Sequence, residues 1–219
     1  MQVLYEDNHC IAVVKPVGLL TQGDDSGAPN LLDEVKVFIK ERDQKPGNVF
    51  IGLLHRLDRP VGGVVLFAKT SKGASRLSEQ FRARTIQKVY WALVEGAPAQ
   101  TSGEVVQWLL KDKESNIVTG FDHEVSGSQK AELNYQVIST SPTLIEIKPK
   151  TGRPHQIRVA MKTLSCPIVG DVKYGARLET PGQIALFARS LTFKQVVTGE
   201  PITVTAEPDW VTAHIDSRA

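Results

Sequence analysis

Short apolar runs separated by turn-forming residues constrain the fold of this 219-residue chain more than any other feature. Residues 10–14 (CIAVV) and 64–67 (VVLF) are flanked by polar residues, Pro or Gly, which is typical of buried strands. A first strand starts near residue 4, before a turn at residues 6–8. Further strands are predicted at residues 88–94, 131–138, 144–147, 184–188 and 202–205. Strands therefore outnumber helices.

Three segments have the capping residues and apolar spacing of helices. Asn30 can cap a helix that ends near residues 44–47, Thr70 or Ser71 can cap a second, and Pro154 fits the first turn of a third. Residues 112–127 are polar, and we expect an exposed hairpin or loop there. Few helices among many strands, with no βαβ period, predict an α+β fold: a largely antiparallel mixed sheet flanked by helices and loops.

Composition excludes several classes of protein. Hydrophobic residues make up 41% of the chain, which is enough for a packed core, and no apolar run is long enough to cross a bilayer. The N-terminus lacks the pattern of a signal peptide, and the two cysteines, Cys10 and Cys166, have no metal-ligand spacing. We expect a cytoplasmic protein with two buried thiols.

Basic residues are concentrated in two stretches although the net charge is only +2. Residues 69–88 contain six Lys or Arg against Glu79 alone, and residues 148–177 contain seven against Asp171 alone. Such excesses suit a polyanion, because Lys and Arg displace counterions from phosphates. The alternative is two solvated faces that are basic without a nucleic-acid partner.

One carboxylate lies between two guanidinium groups in the segment HRLDR, residues 55–59. Arg56 and Arg59 flank Asp58, and nearby cations favour an ionised carboxylate. If buried, this arrangement is costly to keep for packing alone, and it suits a nucleophile or a base at neutral pH. The alternative is a surface turn with loosely paired charges.

Two other segments contain residues that could bind an anion or a nucleobase. In TGRPHQIRV, residues 151–159, a glycine turn leads to a helix start rich in hydrogen-bond donors, where anions bind readily. In KVYWA, residues 88–92, strand alternation places Lys88, Tyr90 and Ala92 on one face, and such a Tyr can stack on a nucleobase. An ordinary basic helix start and a half-buried core Tyr are the alternatives.

Five ordered motifs resemble the RluA family of pseudouridine synthases across nearly the whole chain. They are KPVG at residues 15–18, HRLDR at 55–59, KVYWA at 88–92, TGRPHQIRV at 151–159 and GDVKYG at 170–175. The resemblance implies a pseudouridine synthase catalytic fold in a single domain, residues 1–219, with no N-terminal S4-type RNA-binding domain. It also implies isomerisation of specific uridines in rRNA, tRNA or both, without a cofactor or metal. The sequence leaves the oligomeric state open, and a monomer is the default expectation.

The resemblance also assigns roles to residues. Asp58 is implied to be the essential carboxylate, Arg158 its ion-pair partner and Tyr90 the residue that stacks on the uracil. Arg56 is implied to enter the RNA where the target nucleotide is flipped out, because Asp58 cannot reach a stacked nucleoside. The other substrate-binding residues implied are His55, Arg59, Lys88, Arg153, His155, Gln156 and Leu186.

The chain departs from the family pattern at three places. Residues 61–63 are Val-Gly-Gly where the family often has Thr-Ser-Gly. Ala160 and Phe187 each stand where the family often has His. None of these positions is catalytic, so the departures bear on the rim of the pocket and on RNA preference.

Three rival functions use some of the same features. A glycoside or nucleoside hydrolase also acts at an anomeric carbon, but glycoside hydrolases usually need two carboxylates, and HRLDR contains one. A non-catalytic RNA-binding protein that retains the fold would be expected to lose Asp58 or Tyr90, and both are present. A metal enzyme is the weakest alternative, because the five histidines are scattered. We expect RNA as the partner, rather than DNA or a membrane.

Overall fold

The computed structural model describes residues 1–112, 114–177 and 182–210. It divides into two compact units. Of the described residues, the first unit contains 1–88 and 188–210, and the second contains those between 89 and 187. Most strand pairs are antiparallel, which confirms the predicted α+β class.

The first unit is built on a sheet that has one fully buried strand at its centre. Its elements in chain order are β1 (Val3–Glu6), β2 (Cys10–Lys15), α1 (Leu31–Arg42), β3 (Gly52–Leu53), β4 (Gly62–Ala68) and α2 (Ser71–Arg82). Two strands follow late in the chain: β10 (Leu186–Lys194), whose first two residues belong to the second unit, and β11 (Pro201–Thr205). The strand order is β1-β2-β4-β10-β11, and β3 also pairs with β4.

Side-chain caps set the start of both helices of the first unit, as the sequence predicts. The side chain of Asn30 accepts a hydrogen bond from the Asp33 backbone N–H at 3.0 Å, and Thr70 Oγ1 accepts one from Gly73 N–H at 3.0 Å. Each cap satisfies a donor that the first helical turn leaves without a partner. A Cβ on Gly73 would lie 2.3 Å from the His9 carbonyl oxygen, so glycine lets α2 pack against the backbone before β2.

The described residues of the second unit form a five-stranded antiparallel sheet with one short α-helix and one 3-10 helix. Its elements are β5 (Gln87–Leu93, which begins in the first unit), β6 (Ser102–Lys111), β7 (Val118–Phe121), β8 (Gln129–Thr140), β9 (Thr143–Pro149), α3 (Gln156–Thr163) and a 3-10 helix (Val172–Tyr174). The strand order is β5-β9-β8-β6-β7. A buried cluster joins strands, α3 and the 3-10 helix, and its members are Leu109, Val118, Ala131, Val159 and Tyr174.

Two segments of the second unit differ from the sequence-based expectation. The sequence does not predict strand β6. Residues 112–127 contain the turn and second strand of the β6–β7 hairpin, as expected, and are mostly exposed apart from Val118, which is 3% exposed. The third helix starts at Gln156, after His155 as its N-cap, so Pro154 lies just outside it. The helix ends at Thr163, and Leu164 is its C-cap.

Cys10 and Cys166 are both free and fully buried, as expected. No helix in the described part of the chain is both long and apolar enough to span a bilayer. Within that same part, no three His, Cys, Asp or Glu side chains are grouped so that they could hold a metal ion.

Candidate active site

Asp58 lies half-buried in the loop between β3 and β4, and neighbouring segments hold the backbone of this loop in place. The Thr21 hydroxyl donates to the Leu57 carbonyl at 2.8 Å and accepts from the Leu57 N–H at 3.1 Å. The carbonyl of Asp58 accepts from the Val61 N–H at 3.0 Å, which closes a turn directly after it. The backbone on both sides of the candidate carboxylate is therefore fixed.

The turn that contains the KPVG motif holds the other end of the loop. The Gly18 N–H donates to the Arg59 carbonyl at 2.9 Å, and Arg59 Nε donates back to the Gly18 carbonyl at 3.0 Å. Gly18 has φ +85°, a conformation that favours glycine. Because Arg59 is tied down by this exchange, its predicted contact with substrate would have to use the remaining guanidinium donors.

Lys15 is a buried cation beside this loop, and sequence reasoning gave it no role. It is 0% exposed, and its Nζ donates to the carbonyls of Leu19 at 2.7 Å, Pro16 at 3.0 Å and Arg59 at 3.2 Å. Burial lowers the pKa of Lys15 to about 8, while the negative charge of Asp58 opposes that shift. Asp58 therefore interacts with a buried lysine, whereas the flanking Arg56 and Arg59 are exposed.

His55 is anchored inside the first unit. Its Nε2 accepts a hydrogen bond from the Leu66 N–H at 3.0 Å, and its ring stacks on Phe81 with centroids 5.0 Å apart. Burial, assisted by the charge of Lys88, lowers the pKa of His55 to about 3. His55 is therefore neutral at physiological pH and fastens the HRLDR segment to β4. Its predicted contact with substrate stays a prediction.

A group of cations lies near the end of α2 and the start of β5. Lys88 is half-buried, and its pKa is lowered by burial and, secondarily, by the charge of Arg84. Arg84 is exposed and has φ +57°, in the left-handed region. The repulsion between these two cations would be relieved by a bound anion such as a phosphate.

Gln156 and Arg153 hold the TGRPHQIRV turn in shape within the second unit. The Oε1 of Gln156, a residue 5% exposed, accepts from the Thr151 hydroxyl at 2.7 Å and from the Arg153 N–H at 3.1 Å. Its Nε2 donates to the Glu132 carbonyl at 2.9 Å, and Arg153 Nε donates to the Lys130 carbonyl at 3.1 Å. These bonds give both side chains an internal role, and their predicted contacts with substrate stay predictions.

Arg158 is held by a carboxylate that sequence reasoning did not assign. Its Nε and Nη2 donate to the two oxygens of Asp171 at 2.7 and 2.6 Å. Its guanidinium carbon also lies 4.8 Å from the ring centroid of Tyr174, whose hydroxyl is 2.6 Å from His155 Nδ1. Asp171 and Tyr174 belong to the GDVKYG motif, which was the only available signal for them. The predicted pairing of Arg158 with Asp58 stays a prediction.

Tyr90 and Leu186 complete the predicted set. Tyr90 is half-buried on β5, opposite Ile147 of β9, and Leu186 is 4% exposed at the start of β10. Among the predicted site residues, the first unit contains His55, Arg56, Asp58, Arg59 and Lys88. The second contains Tyr90, Arg153, His155, Gln156, Arg158 and Leu186.

Known proteins share both the fold and the sequence pattern. The structure superposes on Human RNA Pseudouridylate Synthase Domain Containing 4 with a TM-score of 0.81, covering 98% of this chain and 92% of that one at 24% identity. The fold is thus that of pseudouridylate synthases. The family model described as RNA pseudouridylate synthase matches residues 9–163, which is more than half of the chain. The chain belongs to this family, in its RluA-type branch, and its class is RNA pseudouridine synthase, an isomerase.

Curated bacterial relatives cover the chain almost completely. It is 36% identical to tRNA pseudouridine synthase C of Haemophilus ducreyi, over 94% of this chain and 90% of the relative. It is 32% identical to the Dual-specificity RNA pseudouridine synthase RluA of Haemophilus influenzae, over 96% and 94%. A tRNA pseudouridine synthase C of Pectobacterium carotovorum is 31% identical over 95% of this chain, which spans 59% of that protein.

Proposed function

We propose that this chain converts uridines in structured RNA to pseudouridine, with Asp58 as the essential carboxylate. The observation that carries the proposal is the fixed loop around Asp58: Thr21 and the KPVG turn hold its backbone, and Lys15 lies beside it as a buried cation. A catalytic group must be held close to its productive geometry, and such anchoring supports that role.

The chemistry that we assign to Asp58 needs no redox partner. The N-glycosidic bond between C1′ and N1 breaks, the uracil turns, and C5 joins C1′ before losing its proton. Asp58 either attacks C1′ or removes a ribose proton to give a glycal, and both routes return the carboxylate unchanged. The C5 hydrogen leaves as a proton to solvent and N1 takes up a proton, so substrate and product are isomers and no oxidant, reductant or cofactor is consumed.

Two residues of the second unit are proposed to act with Asp58. Tyr90 would stack on the uracil and assist proton removal from C5, and Arg158 would pair with the carboxylate of Asp58. A guanidinium has five N–H donors and Asp171 takes two of those on Arg158, so one arginine can serve two carboxylates.

The proposed substrate is RNA that presents a uridine in a loop or bulge. Eversion of a base costs roughly a few kcal/mol, and the cost is lowest where stacking is already weak. The names of the relatives specify tRNA, the ribosomal large subunit, or dual specificity. We propose tRNA, rRNA or both as substrate in the cytoplasm, with Arg56 entering the RNA and the cations Arg82, Arg84 and Lys88 binding phosphates.

Tritium release decides the role of Asp58. Transcribed tRNA and rRNA fragments carrying uridine labelled with tritium at C5 are incubated with the wild-type chain, Asp58→Asn and the control Asp25→Asn. Asp25 is an exposed residue of a polar loop. We expect release from the wild type and the control, at least about 1000-fold less from Asp58→Asn, and equal RNA binding by all three in a filter assay. Substantial release by Asp58→Asn overturns the assignment.

Analysis of the nucleoside products separates the rival functions. After the same reactions the RNA is digested to nucleosides, and free bases are measured in the supernatant. Pseudouridine in the RNA without free uracil supports the isomerase. Free uracil indicates a hydrolase. RNA binding without either product indicates the non-catalytic RNA-binding protein.

A further inference from the structure

Arg158 and Asp171 form a buried, bidentate ion pair in the second unit. Their side chains are 8% and 1% exposed, and two parallel N–H···O bonds of 2.7 and 2.6 Å join the Nε–Nη2 edge of Arg158 to both oxygens of Asp171. Such a pair recovers little net stability after desolvation, because both ions lose their hydration. It does fix orientation, because the planar fork of arginine matches a carboxylate in only one arrangement.

Tyr174 fixes the same guanidinium from another direction. Its ring centroid lies 4.8 Å from the guanidinium carbon of Arg158. The Tyr174 hydroxyl accepts from the Val118 N–H at 3.0 Å and is 2.6 Å from His155 Nδ1, so the ring itself is tied to β7 and to the residue before α3. The edge and the plane of the Arg158 side chain are therefore both set by residues 171–174.

We infer that Asp171 is a positioning residue for the isomerisation. It holds one edge of Arg158 so that the remaining donors of the guanidinium keep a single orientation toward the reacting carboxylate. The inference rests on the proposed function, in which Arg158 pairs with Asp58. It adds that the aspartate of the GDVKYG motif acts through Arg158 and contacts neither the uridine nor Asp58.

The test is Asp171→Asn in the tritium-release assay, with kcat and KM measured separately. Asn has the same size but offers one acceptor and one donor, so the donor faces an N–H of Arg158 and the guanidinium must turn. A misplacement of about 1 Å can cost about 100-fold in rate. We expect kcat to fall by about 100-fold while KM for RNA changes less than about threefold, because binding does not depend on this orientation.

Thr163→Val is the matched structural control. Thr163 closes the same helix five residues beyond Arg158, and its hydroxyl accepts from Nε2 of the buried Gln107 at 2.6 Å. The substitution removes the partner of the buried Gln107 Nε2 and leaves the contacts of Arg158 with Asp171 and Tyr174 in place. We expect a lowered melting temperature with kcat unchanged. Equal losses of kcat in Thr163→Val and Asp171→Asn would reduce Asp171 to a stabilising role and overturn the inference.

A double-mutant cycle with Arg158→Lys shows whether Asp171 acts through Arg158. Lysine cannot make the bidentate contact with Asp171. In the Arg158→Lys variant, Asp171→Asn should therefore lower kcat by less than about threefold further. Independent, multiplicative losses overturn the inference. If Asp171→Asn does not fold, Asp171→Glu replaces it: its carboxylate is displaced by one methylene, and wild-type kcat in that variant overturns the inference.

Asp58→Asn, measured in parallel, separates the two proposals. Activity of Asp58→Asn refutes the proposed function. An inactive Asp58→Asn together with a fully active Asp171→Asn leaves the proposed function intact and refutes only the positioning role.

Discussion

Replacing Thr21 by Val tests the idea that the loop around Asp58 is held from outside. Val is close to Thr in shape but cannot donate to the Leu57 carbonyl or accept from the Leu57 N–H, two bonds of 2.8 and 3.1 Å. Thr21 is 3% and Leu57 is 7% exposed, so water does not readily replace the hydroxyl. A buried polar group left without a partner costs about 1–3 kcal/mol, which for two groups amounts to about 2–6 kcal/mol.

Amide hydrogen exchange at Leu57 reads out this cost locally. At about 1.4 kcal/mol per factor of ten, a loss of about 2–6 kcal/mol makes exchange roughly 30- to 20,000-fold faster. We expect the rate of tritium release to fall by about 10- to 100-fold as well, because the loop that contains Asp58 loses its fixed geometry. Urea unfolding followed by circular dichroism measures the effect on overall stability.

Thr203→Val is the control for the hydroxyl itself. Thr203 is exposed on β11, where its hydroxyl lies 2.8 Å from that of Thr192, and its replacement should change stability by less than about 0.5 kcal/mol. Leu57 amide exchange at the wild-type rate in Thr21→Val would refute the reasoning that this hydroxyl holds the loop.

Two further predictions concern the first unit. Gly63→Ala should destabilise the chain by more than about 3 kcal/mol in urea unfolding, because Gly63 has φ +121° and a Cβ there would lie 2.4 Å from the Ala188 carbonyl oxygen. Gly199→Ala, at φ +77° with open space around it, should cost only about 1–2 kcal/mol, and equal losses would contradict the steric account. The imidazole of His55 should stay neutral in an NMR titration down to about pH 4, because its pKa is about 3. The unfolded chain binds this proton near pH 6.5, so the contribution of His55 to stability is lost progressively as the pH falls from 6.5 toward 3. Protonation of His55 near pH 6.5 in the folded chain would contradict its burial.

Local signals made much of the fold predictable. Asn30 and Thr70 cap the helices that the sequence assigned to them, and β4 is buried along its whole length as its apolar run indicates. These features depend on neighbouring residues only, because a cap satisfies donors of its own first turn and a central strand is apolar on both faces.

The sequence does not predict strand β6, because apolar residues at its outward positions hide the alternation of polar and apolar residues. Val105, Gln107 and Leu109 are its buried positions, yet Val106 and Trp108 between them are also apolar, and one buried position is an amide. The run therefore shows neither the period of two of a half-buried strand nor a continuous apolar stretch. Only the packing of Gln107 against Thr163 explains why an amide is buried there.

The motifs identified candidate site residues, but they did not reveal what holds those residues. Lys15 donates to the Arg59 carbonyl 44 residues away, and Asp171 pairs with Arg158 across 13 residues. A buried charge in a sequence looks the same as an exposed one until its partner is known, because burial of an ion is determined by tertiary contacts. The same applies to Gln156 and His55, whose polar atoms turn out to bind the chain's own backbone.

Asp58 is proposed to meet an everted uridine together with Tyr90 and Arg158. A crystal structure of Asp58→Asn bound to an RNA stem-loop that the wild type modifies measures this directly. We expect the target uridine to lie out of the helical stack, with its C1′ about 3–3.5 Å from the side chain at position 58 and its base on the ring of Tyr90. Arg158 should lie within hydrogen-bonding distance of residue 58. A uridine still stacked in the RNA, or residue 58 directed away from both Tyr90 and Arg158, would contradict this proposal.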